Sequence, residues 1–491
     1  MPPPLRYESW SPQRYPITGC QMPHDDVAQK SASEMSRLLE QKQVSALEIV
    51  DAVLARNARL HPALNACIDV DADAARAAAR QSDRRRRDAR SLGPLDGIPV
   101  TVKDNLAVKG MKATWGSKAL AHRIAPHDDP SVALLRAAGA VIWAKTNLPE
   151  LALAGVTDNE LFGATRNPWD TSLTPGGSSG GAAAALAAGI GPLALATDAG
   201  GSARRPAAYT GTVGLRPSNG MIPRGSFFPT TTSDCQVVAP MARSIADIRM
   251  TLDVLAAPHV NDRTSSTSLL PAATRPPSDR PLRILYFSAV GSSPVDDRIA
   301  AALDTAAGRL SDMGHDVISD AAPFSLEEIE AIWSALIGAG TAAAVTASAL
   351  PLAELTPTIR GLVDRGTKLS AAQYVEAIES INRIRRQFDE LFERYDVLLS
   401  PTSPCFPWST TEPYPKVIGG KDAGPRGAAT FLPFVNVAGI PAISLPIGDI
   451  ETPLPVGMQL AAAFGADRSL LRLAEAIEAR HPWPATAPAF A

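Results

Sequence analysis

Apolar positions along the chain recur with two different spacings, and the two spacings alternate. Near the start, Ser31-Ala-Ser-Glu34 and Ser45-Ala-Leu-Glu48 each stand ahead of apolar residues spaced three and four apart. A serine followed three residues later by glutamate can cap a helix reciprocally, so two helices are expected to open the fold. From residue 98 onward, short apolar runs alternate with helical stretches. The pattern predicts a strand near 98–102, a helix near 130–138, a strand at 140–144, a helix from about 180 to 188 and a strand at 192–196. Such alternation is the mark of an α/β fold: a mixed, largely parallel β-sheet sandwiched between α-helical layers.

The rhythm stops over 257–281, where Pro, Ser, Thr and Arg accumulate without periodicity, so this stretch reads as a linker. It then resumes, with a strand at 282–287, a helix at 298–311, strands at 441–446 and 454–460, and a closing amphipathic helix at 468–479. The segment 370–395 carries Tyr374, Ile378, Ile381, Phe388 and Leu391 at helical spacing, which marks a buried stripe rather than a cofactor box. Strands on both sides of the linker suggest one sheet completed by the C-terminal half. The expected organisation is an N-terminal arm over 1–28 and a single domain over 29–491, with a catalytic core at about 95–243 and a sheet-completing, pocket-forming half at about 282–480.

Composition adds mostly exclusions. Apolar residues make up 45% and charged residues 20%, as in ordinary soluble proteins, and a net charge of -3 gives no general attraction to nucleic acid or an acidic membrane. The run Arg84 to Arg87 sits among aspartates in an alanine-rich stretch and reads as a solvated face. Cys20, Cys67, Cys235 and Cys405 are too scattered for a disulfide framework or a metal knuckle, so they are expected as free thiols. The first residues lack a signal-peptide apolar core, and the apolar stretch 182–195 is broken by glycine and proline. A cytoplasmic protein is the expectation.

Candidate chemistry lies in two glycine-rich stretches, Thr174-Pro-Gly-Gly-Ser-Ser-Gly-Gly181 and Thr197-Asp-Ala-Gly-Gly-Ser-Ala-Arg-Arg-Pro206, and in Gly97-Ile-Pro-Val-Thr-Val-Lys-Asp-Asn105 upstream. A glycine-rich loop entering a helix offers backbone amides to a phosphate or to a developing oxyanion. The phosphate reading needs a lysine at the helix start or a GxGxxG fingerprint, and neither is present. In the oxyanion reading Ser202 is the nucleophile. No histidine lies between His127 and His259, so Lys103 is the candidate base; in an apolar strand with Val100 and Val102 it would lose its charge to burial. Ser178 would relay the proton between them. Duller readings stand beside these: Asp104 as a simple ion-pair partner of Lys103, and Ser178 or Ser179 as a mere helix cap.

These motifs resemble the amidase signature family. Its Gly-Gly-Ser-Ser-Gly-Gly and Asp-x-Gly-Gly-Ser-x-Arg-x-Pro patterns appear at 176–181 and 198–206, and separations of 24 and 75 residues match its serine pair and lysine. Flanking landmarks agree, namely Gly163-Ala-Thr-Arg-Asn-Pro168, Gly211-Thr-Val-Gly-Leu-Arg-Pro217, Ala239-Pro-Met-Ala-Arg243 and Pro441-Ala-Ile-Ser-Leu-Pro446. The resemblance implies Lys103 as base, Ser178 as a bridging serine after a cis peptide, and Ser202 as the acyl-forming nucleophile. It also implies an oxyanion hole from the amides of Ala199, Gly200, Gly201 and Ser202, with Asp198, Arg204 and Ser179 in support. Arg216, Tyr209-Thr210 and Ala199 depart from the commoner family residues and would alter pocket walls. The stretches Pro433-Phe-Val-Asn436 and Pro446-Ile-Gly448 resemble hydrolases of cyclic nylon oligomers.

The expected function is therefore hydrolysis of a carboxylic amide, anilide or carbamate, with no metal or organic cofactor. The expected partner is a small-molecule amide, without nucleic acid or membrane, in a monomer or homodimer. Segments 324–362 and 405–434 would shape the pocket, with Trp333, Phe406 and Trp408 as its apolar walls. Two rivals remain: the glutaminase subunit of a tRNA-dependent amidotransferase, and a silent protein whose glycine-rich loops hold an anion.

Overall fold

Strands covered on both faces read as runs of Val, Ile, Leu and Ala buried at every position. The computed structural model describes residues 24–269, 280–448 and 452–490. Its strands in the N-terminal half are β1 (Cys67–Val70), β2 (Pro99–Lys103), β3 (Val141–Thr146), β4 (Leu193–Asp198), β5 (Val213–Arg216) and β6 (Val237–Ala242). Beyond the linker follow β7 (Arg283–Tyr286), β8 (Asp316–Ser319), β9 (Val397–Pro401), the short ribbon β10 (Val417–Ile418) and β11 (Lys421–Asp422), then β12 (Ala442–Pro446) and β13 (Gly457–Ala462). All except the ribbon pair into one 11-stranded sheet in the order β1-β3-β2-β4-β6-β5-β12-β13-β9-β7-β8.

The sheet is mixed, and its parallel pairings sit in two flanking runs. On one side β2 pairs parallel with β3 and β4; on the other β7 pairs parallel with β8 and β9. Between them β4, β6, β5, β12, β13 and β9 are antiparallel neighbours. Parallel pairing is thus more local than the helix and strand alternation alone suggests. The seam between the halves is β5 against β12, with Leu215 opposite Ile443.

Side chains alternate across this sheet as a period of two requires. Val397 and Leu399 point into one apolar cluster and Leu398 into another; Ile284 and Leu285 divide the same way. The first cluster is covered by helices Ala46–Leu64, Ile245–Leu255, Asp297–Asp312 and Asp467–Arg480, the second by Leu326–Ala347 and Ala371–Arg394. Helix Gly180–Ala187 is apolar on every side and wholly buried. The linker region forms a short 3-10 stretch, Arg263–Leu269, before 270–279, which lie outside the described residues.

Both opening helices carry complete capping boxes at Ser31 and Ser45. The expected arm needs correction at its end, because His24–Ala28 is helical and Val27 and Ala28 enter the core; residues 1–23, including Cys20, lie outside the described residues. The basic run is also more than a solvated face. Arg85 pairs with buried Asp96 at 2.5 Å and Arg86 donates to the Asp96 carbonyl at 2.7 Å, because the last helical turn aims both at that carboxylate's loop. Cys67, Cys235 and Cys405 are buried free thiols. Helix Leu326–Ala347, which is not among the helices expected from the sequence, is long and apolar enough to cross a membrane; half of its most apolar window is buried inside the protein.

Candidate active site

Lys103 ends β2, where the parallel neighbours β3 and β4 close over it and leave its side chain fully buried. Its Nζ lies 2.7 Å from Ser178 Oγ, 2.8 Å from Ser179 Oγ and 3.2 Å from Thr197 Oγ1. Asp104 is not its partner. Successive strand residues face opposite ways, so the Asp104 carboxylate turns to Lys145 at 3.3 Å and to Thr114. With hydroxyls and no paired carboxylate around it, burial lowers the Lys103 amine to about 7, against the opposing pull of the Asp198 charge.

The loop before helix Gly180–Ala187 brings the serines to the lysine. Gly177 packs so tightly that a Cβ there would lie 2.6 Å from the Val156 carbonyl oxygen, which explains the glycine. The Gly177–Ser178 peptide is cis, as the family resemblance implies. Ser179 occupies the N-cap position, yet its hydroxyl makes no capping bond; it meets Lys103 and, at 3.3 Å, the Thr197 carbonyl. The helix-cap reading of this serine is therefore set aside.

Ser202 sits in the turn between β4 and helix Arg204–Thr210, and its carbonyl accepts from Ser179 N–H at 3.1 Å, tying the two glycine-rich loops together. Ser178, Thr197, Ala199, Gly200 and Ser202 line one cavity of about 520 Å³. Among the described residues Ser202 Oγ has no hydrogen-bond partner, so the lysine to Ser178 link is formed here and the Ser178 to Ser202 link is open. One of the four amides expected as oxyanion donors is already engaged. Gly201 N–H already donates to Asp198 Oδ1 at 2.8 Å because its φ of 98° folds the loop back over that carboxylate. The amides of Ala199, Gly200 and Ser202 carry no backbone hydrogen bond among the described residues.

Behind the loop Asp198 and Arg204 form a buried ion pair at 2.9 Å. Arg204 also donates to Gln459 Oε1 and Asn436 Oδ1, each at 2.6 Å, and Asn436 Nδ2 returns to Asp198 Oδ1 at 2.9 Å. Burial works to raise the Asp198 carboxyl, but the Arg204 charge and these hydrogen bonds outweigh it and hold it far below the usual carboxylate range. Asn105, Thr197, Asn436 and Gln459 are not among the candidates that the sequence motifs supply. Asn105 and Thr197 stand at the edges of the quoted motifs and so carry a local signal; Asn436 and Gln459 come from far along the chain.

The cavity takes walls from both expected segments, through Trp333, Ile337 and Leu362 and through Trp408 and Arg426. Phe406 needs correction: it packs under Arg298, 4.5 Å from ring centroid to guanidinium, and is not in the lining. Of the three departures from the family pattern, Ala199 lines the cavity, whereas Tyr209 bonds Ser403 at 2.7 Å and Arg216 bonds backbone, both outside the lining.

A sequence model of the Amidase family matches residues 48–471. Curated relatives include the A-subunit of glutamyl-tRNA(Gln) amidotransferase from Symbiobacterium thermophilum, 35% identical over 91% of this chain and 96% of that protein. Its counterpart from Acidothermus cellulolyticus is 36% identical over 93% and 95%. Among solved structures, 6-aminohexanoate cyclic dimer hydrolase with its substrate superposes with a TM-score of 0.83 at 29% identity, over 94% of this chain and 100% of that one. A bacterial aryl acylamidase of the amidase signature enzymes does so with 0.83 at 29%, over 93% and 97%. With a family model matching residues 48–471 and solved amidases superposing over more than nine-tenths of its length, the chain belongs to the amidase signature family.

Proposed function

We propose that this protein hydrolyses the C–N bond of a carboxylic amide through an acyl-enzyme on Ser202. The observation that carries the reading is a fully buried lysine, held near neutrality by burial, within 2.7 Å of the Ser178 hydroxyl. A neutral amine has two hydrogens and one lone pair. Thr197 Oγ1 already accepts from Asn105 at 2.9 Å, and Ser179 gives its own hydrogen to the Thr197 carbonyl. Both oxygens are then free to accept from the amine, and its lone pair is left for the Ser178 proton.

Ser202 Oγ attacks the carbonyl carbon while its proton passes to Ser178 and the Ser178 proton to Lys103. Negative charge gathers on the carbonyl oxygen, beside the amides of Ala199, Gly200 and Ser202. Collapse breaks the C–N bond, and the leaving nitrogen takes the proton back along the same path. Water then attacks the ester, giving the acid and restoring Ser202.

A second reading is favoured by the curated relatives, which belong to a tRNA-dependent amidotransferase. There the first half of the chemistry is the same and the ammonia is handed on, so protein partners and tRNA would enter. Amine release from a panel of amides by the isolated chain, with a fluorophosphonate labelling wild type and sparing Ser202→Ala, is the expected result. Ammonia release from L-glutamine alone, and only with added partner subunits, would favour the second reading. Absence of label at Ser202 would favour a silent anion-binding protein.

A further inference from the structure

The cavity that holds the serines is lopsided in charge. Arg205, Arg365 and Arg426 belong to its lining, and among the described residues no Asp or Glu does. Arg205 is the unusual one. Only 8% exposed, it gives Nε and Nη2 to the Gly177 carbonyl at 3.3 and 2.9 Å, while its Nη1 has no hydrogen bond among the described residues. Arg204 next to it is neutralised by Asp198, but no carboxylate stands within ion-pair distance of Arg205 among the described residues. Of the titratable groups that act on it, Tyr209 and Cys405 are held protonated by burial, and the Asp198 carboxylate is already paired with Arg204. An arginine taken out of water without an anion is costly, and a ligand carboxylate would complete the pair with two parallel hydrogen bonds.

Arg426 lines the same cavity as Ser178 and Ser202. Its guanidinium carbon lies 5.6 Å from the centre of the Trp333 ring, and its Nε is buried without a hydrogen bond. Trp333 in turn abuts the nucleophile loop, since a Cβ on Gly200 would stand 2.5 Å from its Cζ2. Among the described residues its ion-pair partner is Glu330, half-exposed, which reaches Arg426 Nε at 3.8 Å. One cation is therefore a peptide away from Ser178, and the other is an indole away from Gly200.

We infer that the substrate is an amide carrying a carboxylate a few bonds from the scissile carbonyl and no ammonium group, with Arg205 as the inner anchor and Arg426 as the outer one. The inference rests on the amidase reading of this cavity. It separates the two functional readings: free glutamine would bring an ammonium into a lining that offers no carboxylate to meet it.

Amine release should be compared across half-amides of dicarboxylic acids, N-acyl amino acids, L-glutamine and neutral amides of equal length. At least one carboxylate-bearing amide should exceed its neutral isostere tenfold or more in kcat/KM, and glutaramate, which is glutamine without its ammonium, should exceed glutamine. Preference for half-amides puts the carboxylate on the acyl side; preference for N-acyl amino acids puts it on the amine side. Arg205→Met and Arg426→Gln should each pull the charged-to-neutral ratio toward one, with Arg205→Lys between. A wild-type ratio near one, a ratio indifferent to both substitutions, or faster turnover of glutamine than of glutaramate overturns the inference. Should Arg205→Met fail to fold, Arg426→Gln at the rim decides. If wild type turns over no amide, the amidase reading fails by itself. Calorimetry on Ser202→Ala then reads the anion site: hexanoate binding over hexanol supports it, and equal or absent binding overturns it.

Discussion

A lysine ringed by hydroxyls has no carboxylate paired with it, burial outweighs the more distant Asp198 charge, and the sign of its pH dependence follows. Its pKa is displaced from the ordinary 10.5 to about 7, so the neutral, proton-accepting amine dominates only above that pH. We expect kcat/KM for an amide to rise as pH passes through about 7 and then level, measured with a substrate that does not itself titrate there; a flat profile would remove Lys103 from the base role. Replacement by methionine keeps the buried volume and deletes the lone pair. Turnover in Lys103→Met should fall by roughly 10² to 10⁴, the usual worth of a general base, with little change in Tm. Lys103, Ser178 and Ser202 are legible in the sequence because each sits in a local motif. The third hydroxyl on the lysine, Thr197, stands at the edge of the Asp198 motif, but its role depends on β4 lying parallel beside β2.

The turn after β4 works as an element because something other than itself holds it. Asp198 grips the amides of Gly201 and Ala203 and is gripped by Arg204, which is moored to Asn436 and Gln459. Removing one partner of such a buried pair leaves an uncompensated charge, so Arg204→Met should cost roughly 3–5 kcal/mol in urea unfolding. Because the Asp198 pKa is depressed in the folded state, the pair's stabilisation is present above the unfolded value of about 3.8 and is lost as pH falls below it; the variant should lack that acid-dependent part. On the outer side the turn leans on Trp333. A methyl group added at Gly200 would meet Cζ2 at 2.5 Å and Cη2 at 2.7 Å, so Gly200→Ala should sharply reduce amide turnover, and the double variant with Trp333→Leu should recover part of it. Loop and helix signals are plain in the sequence, from the capping serines to the stripe on Ala371–Arg394. The contacts that brace the loop are not, since Asn436 and Gln459 stand more than two hundred residues from Arg204 and only the sheet brings them together.

At the scale of the whole molecule the site is a product of one sheet drawn from both halves of the chain. β5 ends the N-terminal run of strands, and its open edge is satisfied only by β12, where Leu215 meets Ile443 and Gly214 meets Ser444. The far half also supplies Trp333 to the cavity and Asn436 and Gln459 to the loop network. A chain cut in the linker would expose the β5 edge and unmoor Arg204, which argues against independent halves. We therefore expect a fragment ending at residue 269 to be aggregation-prone and unlabelled by a fluorophosphonate. The full chain should show one cooperative transition, with tryptophan fluorescence and far-UV circular dichroism tracking the same curve. Two separated transitions, or a soluble N-terminal fragment that takes the label, would mean that the catalytic core holds its shape without the strands beyond the linker.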